Sequence, residues 1–196
     1  MQLGINSVCQ LSHFQKWRLK YRASRDGFSA ESFQAKCDGV PNTLTVIKSS
    51  SGNIFGGFAK KMWDLWSSCG KSCGYEACEE YGLCEDKSAL VFRDPDAYIF
   101  SLVNKEKVPF KALCSSDGEN ALYCSPSSGP SFGFNPVCGC DIQISSDSDV
   151  RQSLANFGYT FEHPDFVGGT ERAQSILAGT RLFFQTIDIE VFAKVC

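Results

Sequence analysis

Histidine is scarce in this chain, and several kinds of chemistry become scarce with it. Only two occur in 196 residues, His13 and His163, which excludes a histidine-rich metal centre and the paired histidines of an HExxH helix. No GxxxxGK[S/T] loop is present to cradle a phosphate, and no nucleophile elbow of the GxSxG type is expected. Basic charge is not in surplus either. Nineteen Lys and Arg face 22 Asp and Glu, for a net charge of −3, the wrong sign for a nucleic-acid binder. The longest apolar runs, such as "ALVF", fall far short of the roughly 18 residues that a membrane-spanning helix needs. The opening "MQLGINSVCQLSHFQKW" lacks the apolar core of a secretory leader, and no Asn-x-Ser/Thr sequon occurs. Together these absences lead us to expect a cytoplasmic protein whose thiols stay reduced.

Aromatic residues and cysteines, by contrast, are plentiful: 16 Phe, 6 Tyr, 3 Trp and 11 Cys. A chain this long folds from about 31,000 Å² of exposed surface to about 9,000 Å², enough for a core that needs no disulfides. We therefore expect one domain over residues 1–196, with cysteines used partly as small core hydrophobes. The densest thiol stretch is "CGKSCGYEACEEYGLC", with Cys69, Cys73, Cys78 and Cys84 separated by three, four and five residues. Structural zinc favours C-x2-C pairs, where one turn presents two thiolates to one ion, and none exists here. Cys138 and Cys140 could add ligands. Lys71 would favour thiolate, whereas Glu76, Glu79, Glu80 and Glu85 oppose it. Zinc binding, oxidant sensing and ordinary reduced loop thiols remain open; no metal and no cofactor are expected.

Periodicity supplies the architecture. "KWRLKYRA" alternates, with Trp17, Leu19, Tyr21 and Ala23 on one face and Lys16, Arg18, Lys20 and Arg22 on the other. That basic row is a solvated edge or a docking strip for an acidic partner. "DGFSAESFQAKCDG" reads as a short helix capped by Ser29, stapled by Phe28 and Phe33 and stopped at Gly39. Thr43–Lys48 and Asn53–Ala59 form a hairpin around "SSSG", with Gly56 and Gly57 marking a bulge or a close backbone approach. Met62, Leu65 and Trp66 suggest a helical turn. Further strands are expected at 97–103, 121–124, 141–144 and 157–161, with "SPSSGPSFGFNP" as a turn cluster. A final strand has Ile187, Ile189 and Val191 inside and Asp188 and Glu190 outside, which places Arg18 beside Glu190 if the terminal strands pair. The fold class is α+β, mainly β: an antiparallel sandwich flanked by a few short helices. A Cys–His pair leaves hydrolase chemistry as the weakest alternative, and His163 before Pro164 reads as a turn.

Five segments occur in order: "WRLKYRASRDGFSAESF", "TLTVIKSSSGNIFGGF", "AYIFSLVN", "GPSFG" with a following Asp141, and "DIEVF". The set resembles the TLDc domain of oxidation-resistance proteins and their relatives, from about Trp17 to Phe192. "EVF" stands where animal members usually carry "EVW", so the chain is similar to the branch common in protists and invertebrates. The resemblance implies a β-sandwich without an accepted active site, a role in oxidative-stress resistance, and binding to subunits of the vacuolar proton-pumping ATPase. Its recurrent residues fall on Ser24, Asp26, Gly27, Ser29, Gly52, Phe55, Gly56, Gly129, Pro130, Phe132, Gly133, Asp141 and Glu190. Most of these are expected to be structural. Asp26, Asp141 and Glu190, with Arg18 and Lys20 on the first strand, are the interaction candidates. Residues 67–87 read as a cysteine-rich insertion into the domain.

Overall fold

The computed structural model describes residues 7–9, 15–63, 71–72 and 89–195. Residues 7–9 are helical; after them come β1 (Lys16–Arg22), α1 (Ala23–Asp26) and α2 (Ala30–Cys37), then the hairpin β2 (Thr43–Ser49) and β3 (Ile54–Ala59). Short β4 (Lys71–Ser72) and β5 (Leu90–Phe92) precede β6 (Tyr98–Val103), β7 (Phe110–Cys114), β8 (Leu122–Cys124) and β9 (Ser128–Phe132). The chain continues through β10 (Ile142–Ser145), β11 (Ser153–Ala155), β12 (Phe161–Glu162), α3 (Glu171–Ile176), β13 (Leu182–Phe184) and β14 (Thr186–Val195). Two seven-stranded sheets result, ordered β1-β14-β2-β3-β6-β7-β12 and β13-β11-β10-β9-β8-β5-β4, with antiparallel pairing throughout.

The sheets meet through their inner faces. Ile47, Phe55 and Ile99 of the first pack in one cluster with Leu122, Phe132 and Ile142 of the second. Trp63 stands edge-on to Phe132 and Phe33, at 5.3 and 5.7 Å between ring centres, the geometry that the ring quadrupole favours. Its indole N–H donates to Thr43 Oγ1 at 2.9 Å. The paired glycines of β3 prove to be a close approach. A Cβ on Gly57 would lie 2.6 Å from the Phe132 ring, and one on Gly56 would lie 1.9 Å from the Thr45 carbonyl oxygen. α2 is capped as expected: Ser29 Oγ accepts from the Ser32 N–H at 3.2 Å, and Gly39 follows the helix at φ +73°.

Several expectations need correction. β1 does not keep one apolar face, because its register shifts between Leu19 and Tyr21. The extra residue, Lys20, turns the strand over. Trp17 therefore packs on the outer face with Phe58 and Phe192, while Tyr21 joins the core. A second irregularity between Thr186 and Asp188 leaves Ile187 half-exposed and buries Thr186. "SPSSGPSFGFNP" is no turn cluster: it contains β9, wholly buried between β8 and β10. Of the strand expected at 157–161, only its end pairs, as β12. The suggested turn through Leu65 and Trp66 lies outside the described residues.

Candidate functional site: the motif corner, the Asp141 loop and an edge groove

The first motif folds into a corner where β1 turns into α1. Tyr21 Oη donates to the Gly27 carbonyl at 2.7 Å, and the Arg22 N–H donates to Asp26 Oδ2 at 2.9 Å. Arg25 grips both Asp26 oxygens, at 2.9 and 2.7 Å. That guanidinium, helped by the Arg22 N–H, holds the Asp26 carboxyl down at about 2. Gly27 adopts φ +105°, and a side chain there would press on Ser32. The corner is fastened to β14: Ser24 donates from its N–H and its Oγ to Asp188, each at 3.0 Å, and Arg22 pairs with Glu190. Ser24, Asp26 and Glu190 thus spend their polar groups on their own chain.

The two terminal strands do pair, but with a different register from the one expected. Arg22, not Arg18, faces Glu190; Arg18 faces Ala193. Arg18 is exposed and Lys20 sits at the bulge, and neither has an ion-pair partner among the described residues. Because Glu190 is only 17% exposed, its pair should exceed a fully solvated one. A double-mutant cycle of Arg22→Ala and Glu190→Ala should give a coupling of about 0.5–1 kcal/mol in chemical denaturation. The Arg18→Ala and Glu190→Ala cycle should be additive.

The fourth motif surrounds a buried carboxylate. Gly129 and Pro130 lie where the β9–β10 register shifts, the kind of interruption that lets a proline enter an interior strand. Phe132 fills the core. Gly133 takes φ +71°, and a Cβ there would lie 2.3 Å from Asp141 Oδ2, so glycine is what admits the carboxylate. Asp141 is fully buried. It accepts from Gly158 N–H at 2.8 Å, Tyr159 N–H at 3.3 Å and Thr160 N–H at 2.9 Å. Burial pushes its carboxyl up to about 6 against the pull of those donors. As an interaction candidate Asp141 is corrected: it meets the 158–160 loop and no solvent. Its three bonds also explain the missing strand at 157–161, since the carboxylate takes N–H groups that a neighbouring strand would otherwise use.

Gly129–Gly133 reads G-P-S-F-G, so the GxSxG spacing does occur, against expectation. An elbow would expose its serine between a strand and a helix. Ser131 instead lies fully buried within β9, where Oγ donates to the Gly129 carbonyl at 3.1 Å.

The Asp141-bound loop supports the next one. A Cβ on Gly168 would lie 2.4 Å from the Gly158 carbonyl oxygen, so two glycine backbones touch and lock residues 163–168 against residues 158–160. Between that loop and the β7–β12 edge opens a groove of about 600 Å³, whose lining includes Leu113, Cys114, Glu162, His163, Phe166 and Val167. His163 packs against the touching Phe110 and Phe166 rings, 5.0 and 5.4 Å away. Its Nδ1 accepts the Asp165 N–H at 3.3 Å, which leaves Nε2 to carry the proton. Cys114 shares the groove with His163, but burial, reinforced by Asp141 and Asp94, pushes its thiol up to about 12. Roughly one such group in 100,000 is thiolate at pH 7.

Asp94 was missed as a structural residue. Fully buried, it accepts from Lys60 N–H at 2.7 Å and Lys61 N–H at 2.8 Å and so ties off the end of β3. The signal was its place before a proline in "RDPDA". Cys69, Cys73, Cys78 and Cys84 lie outside the described residues. Of that insertion, Lys71–Ser72 form β4 and pair with β5 at the edge of the second sheet. Among the described residues no cluster of three or more His, Cys, Asp or Glu is placed to hold a metal, and no helix is long and apolar enough to cross a membrane.

The family model of the TLDc domain matches residues 3–78. Over this stretch, less than half of the chain, the sequence is similar to a TLDc domain. No curated protein matches it. The TLDc match spans β1 to β4, including the motif corner and the glycine pair of β3, while Asp141 and the groove lie beyond it. The family is usually linked to oxidative-stress resistance, and it suggests a role in protein interaction.

Proposed function

We propose that this chain is a non-catalytic protein-interaction module of the TLDc type, acting in the cytoplasm in oxidative-stress resistance, with subunits of the vacuolar proton-pumping ATPase as its partner. The TLDc match carries the reading. Site chemistry supports it from the other side. Asp26, Asp141 and Glu190 are engaged within the chain, Ser131 is sealed in β9, and the thiol beside His163 is held protonated. What the surface offers is a firm scaffold with an open groove at one edge and, at the other, Arg18 and Lys20 without ion-pair partners among the described residues. Affinity capture of the tagged chain from a cell lysate tests the proposal. Pump subunits are expected in the eluate in proportion to bait; their absence at confirmed bait levels would count against the pump as partner.

A further inference from the structure

The edge groove has the properties of a binding site in its own right. Its volume of about 600 Å³ lies within the about 300–1,000 Å³ usual for ligand sites. Leu113 and Val167 on its lining are 60% and 69% exposed and so open to an apolar side chain of a ligand. The polar lining is one-sided. Glu162 is exposed and has no ion-pair partner among the described residues, and no Lys or Arg lines the groove. Asp165, on the same loop and 70% exposed, adds a second carboxylate 3.8 Å from His163 Nδ1. Cations on the flanking elements are engaged within the chain, and Arg172 also donates to the Asp165 carbonyl at 2.9 Å. Arg172 binds Glu106 through two bonds of 2.7 Å while lying over the Phe166 ring, and Lys111 lies over Tyr98.

We propose that this groove binds an extended peptide segment presenting a lysine or arginine beside an apolar side chain. The inference rests on the interaction reading above and names the chemistry of the partner at one site. The basic side chain meets Glu162, with Asp165 adding to the field. The apolar one lies between Leu113 and Val167, against Phe166. The Nε2–H of His163 is a donor suited to a peptide carbonyl. The floor needs little ordering on binding, because Asp141 fixes residues 158–160 and the Gly158–Gly168 contact fixes the opposite wall.

The test uses the whole ¹⁵N-labelled chain and three synthetic heptapeptides: one alternating Lys or Arg with Leu or Val, one with Glu replacing the basic residues, and one with Ala replacing the apolar residues. The first should shift amides of residues 113–115 and 158–168 saturably. The other two should bind at least tenfold more weakly. Glu162→Lys and Val167→Asp, both at exposed positions and so compatible with folding, should each weaken the first peptide at least tenfold. Equal binding of the acidic peptide, unchanged affinity in Glu162→Lys, shifts confined to other residues, or no saturation with any peptide would overturn the proposal. Lysate capture separates the two readings. A partner retained fully by Val167→Asp removes the groove and leaves the interaction role standing. Peptide binding at the groove in a chain that captures nothing removes the pump reading alone.

Discussion

Asp141→Ala should unfold far more readily than the parent chain, by about 3 kcal/mol in chemical denaturation. The substitution leaves three buried N–H groups, of Gly158, Tyr159 and Thr160, without an acceptor. Each orphaned donor costs about 1–3 kcal/mol. Part of that is offset, because a carboxylate no longer has to be buried. The loss is large against a usual total stability of about 5–15 kcal/mol. The damage should also spread along one path, loosening residues 158–160 first and then the 163–168 wall of the groove, so hydrogen exchange should quicken there before it does in β2 and β3. The pH dependence has a definite sign. The folded carboxyl titrates at about 6, above its ordinary 3.8, so folding takes up a proton between those values. This group's contribution is therefore full below about 3.8 and lost as pH rises through 6. Asp26 has the opposite sign. Held at about 2, it stabilises the fold above its ordinary value and stops doing so as pH falls toward 2. Titrating stability from pH 7.5 to 4.5 should show a gain in the parent that Asp141→Ala lacks.

Gly56→Ala should cost about 3 kcal/mol, although it adds a single methyl group. The new Cβ would lie 1.9 Å from the Thr45 carbonyl oxygen and 3.1 Å from Phe100 Cζ. Backbone cannot move aside as a flexible side chain can, so the β2–β3 ladder has to open at the middle of the first sheet. Ordinary overpacking costs about 1–3 kcal/mol, and a collision with a central strand belongs at the top of that range. Gly52→Ala is the matched control. Nothing lies within 4 Å of its Cβ, and only its φ of +86° is strained, so about 1 kcal/mol is expected. Thermal melts of the two variants should separate clearly.

These two sites show what a single sequence reveals and what it conceals. The helix cap at Ser29, the β2–β3 hairpin and the crowding at Gly56 and Gly57 were legible, because local spacing alone determines them. The flip of β1 at Lys20 was not, since the alternation of "KWRLKYRA" is the same with or without a bulge and only the partner strand decides. β9 was concealed by its composition. Gly129, Pro130 and two serines look like a turn until an irregular register in β10 receives them. α3 has only six residues, and two of its four buried ones, Gln174 and Ser175, are polar, so it showed no apolar stripe to mark a helix; Thr170 before "ERAQ" was the available cue. The groove escaped notice for another reason. Leu113 is far in sequence from Glu162 and Val167, and only the pairing of β7 with β12 brings it to them.

Calorimetric titration of the purified chain into the purified cytosolic sector of the vacuolar proton-pumping ATPase tests most directly whether this molecule acts by binding. The proposed function predicts saturable heat at a defined stoichiometry with the parent chain. A folded chain that releases no binding heat at any concentration would contradict it.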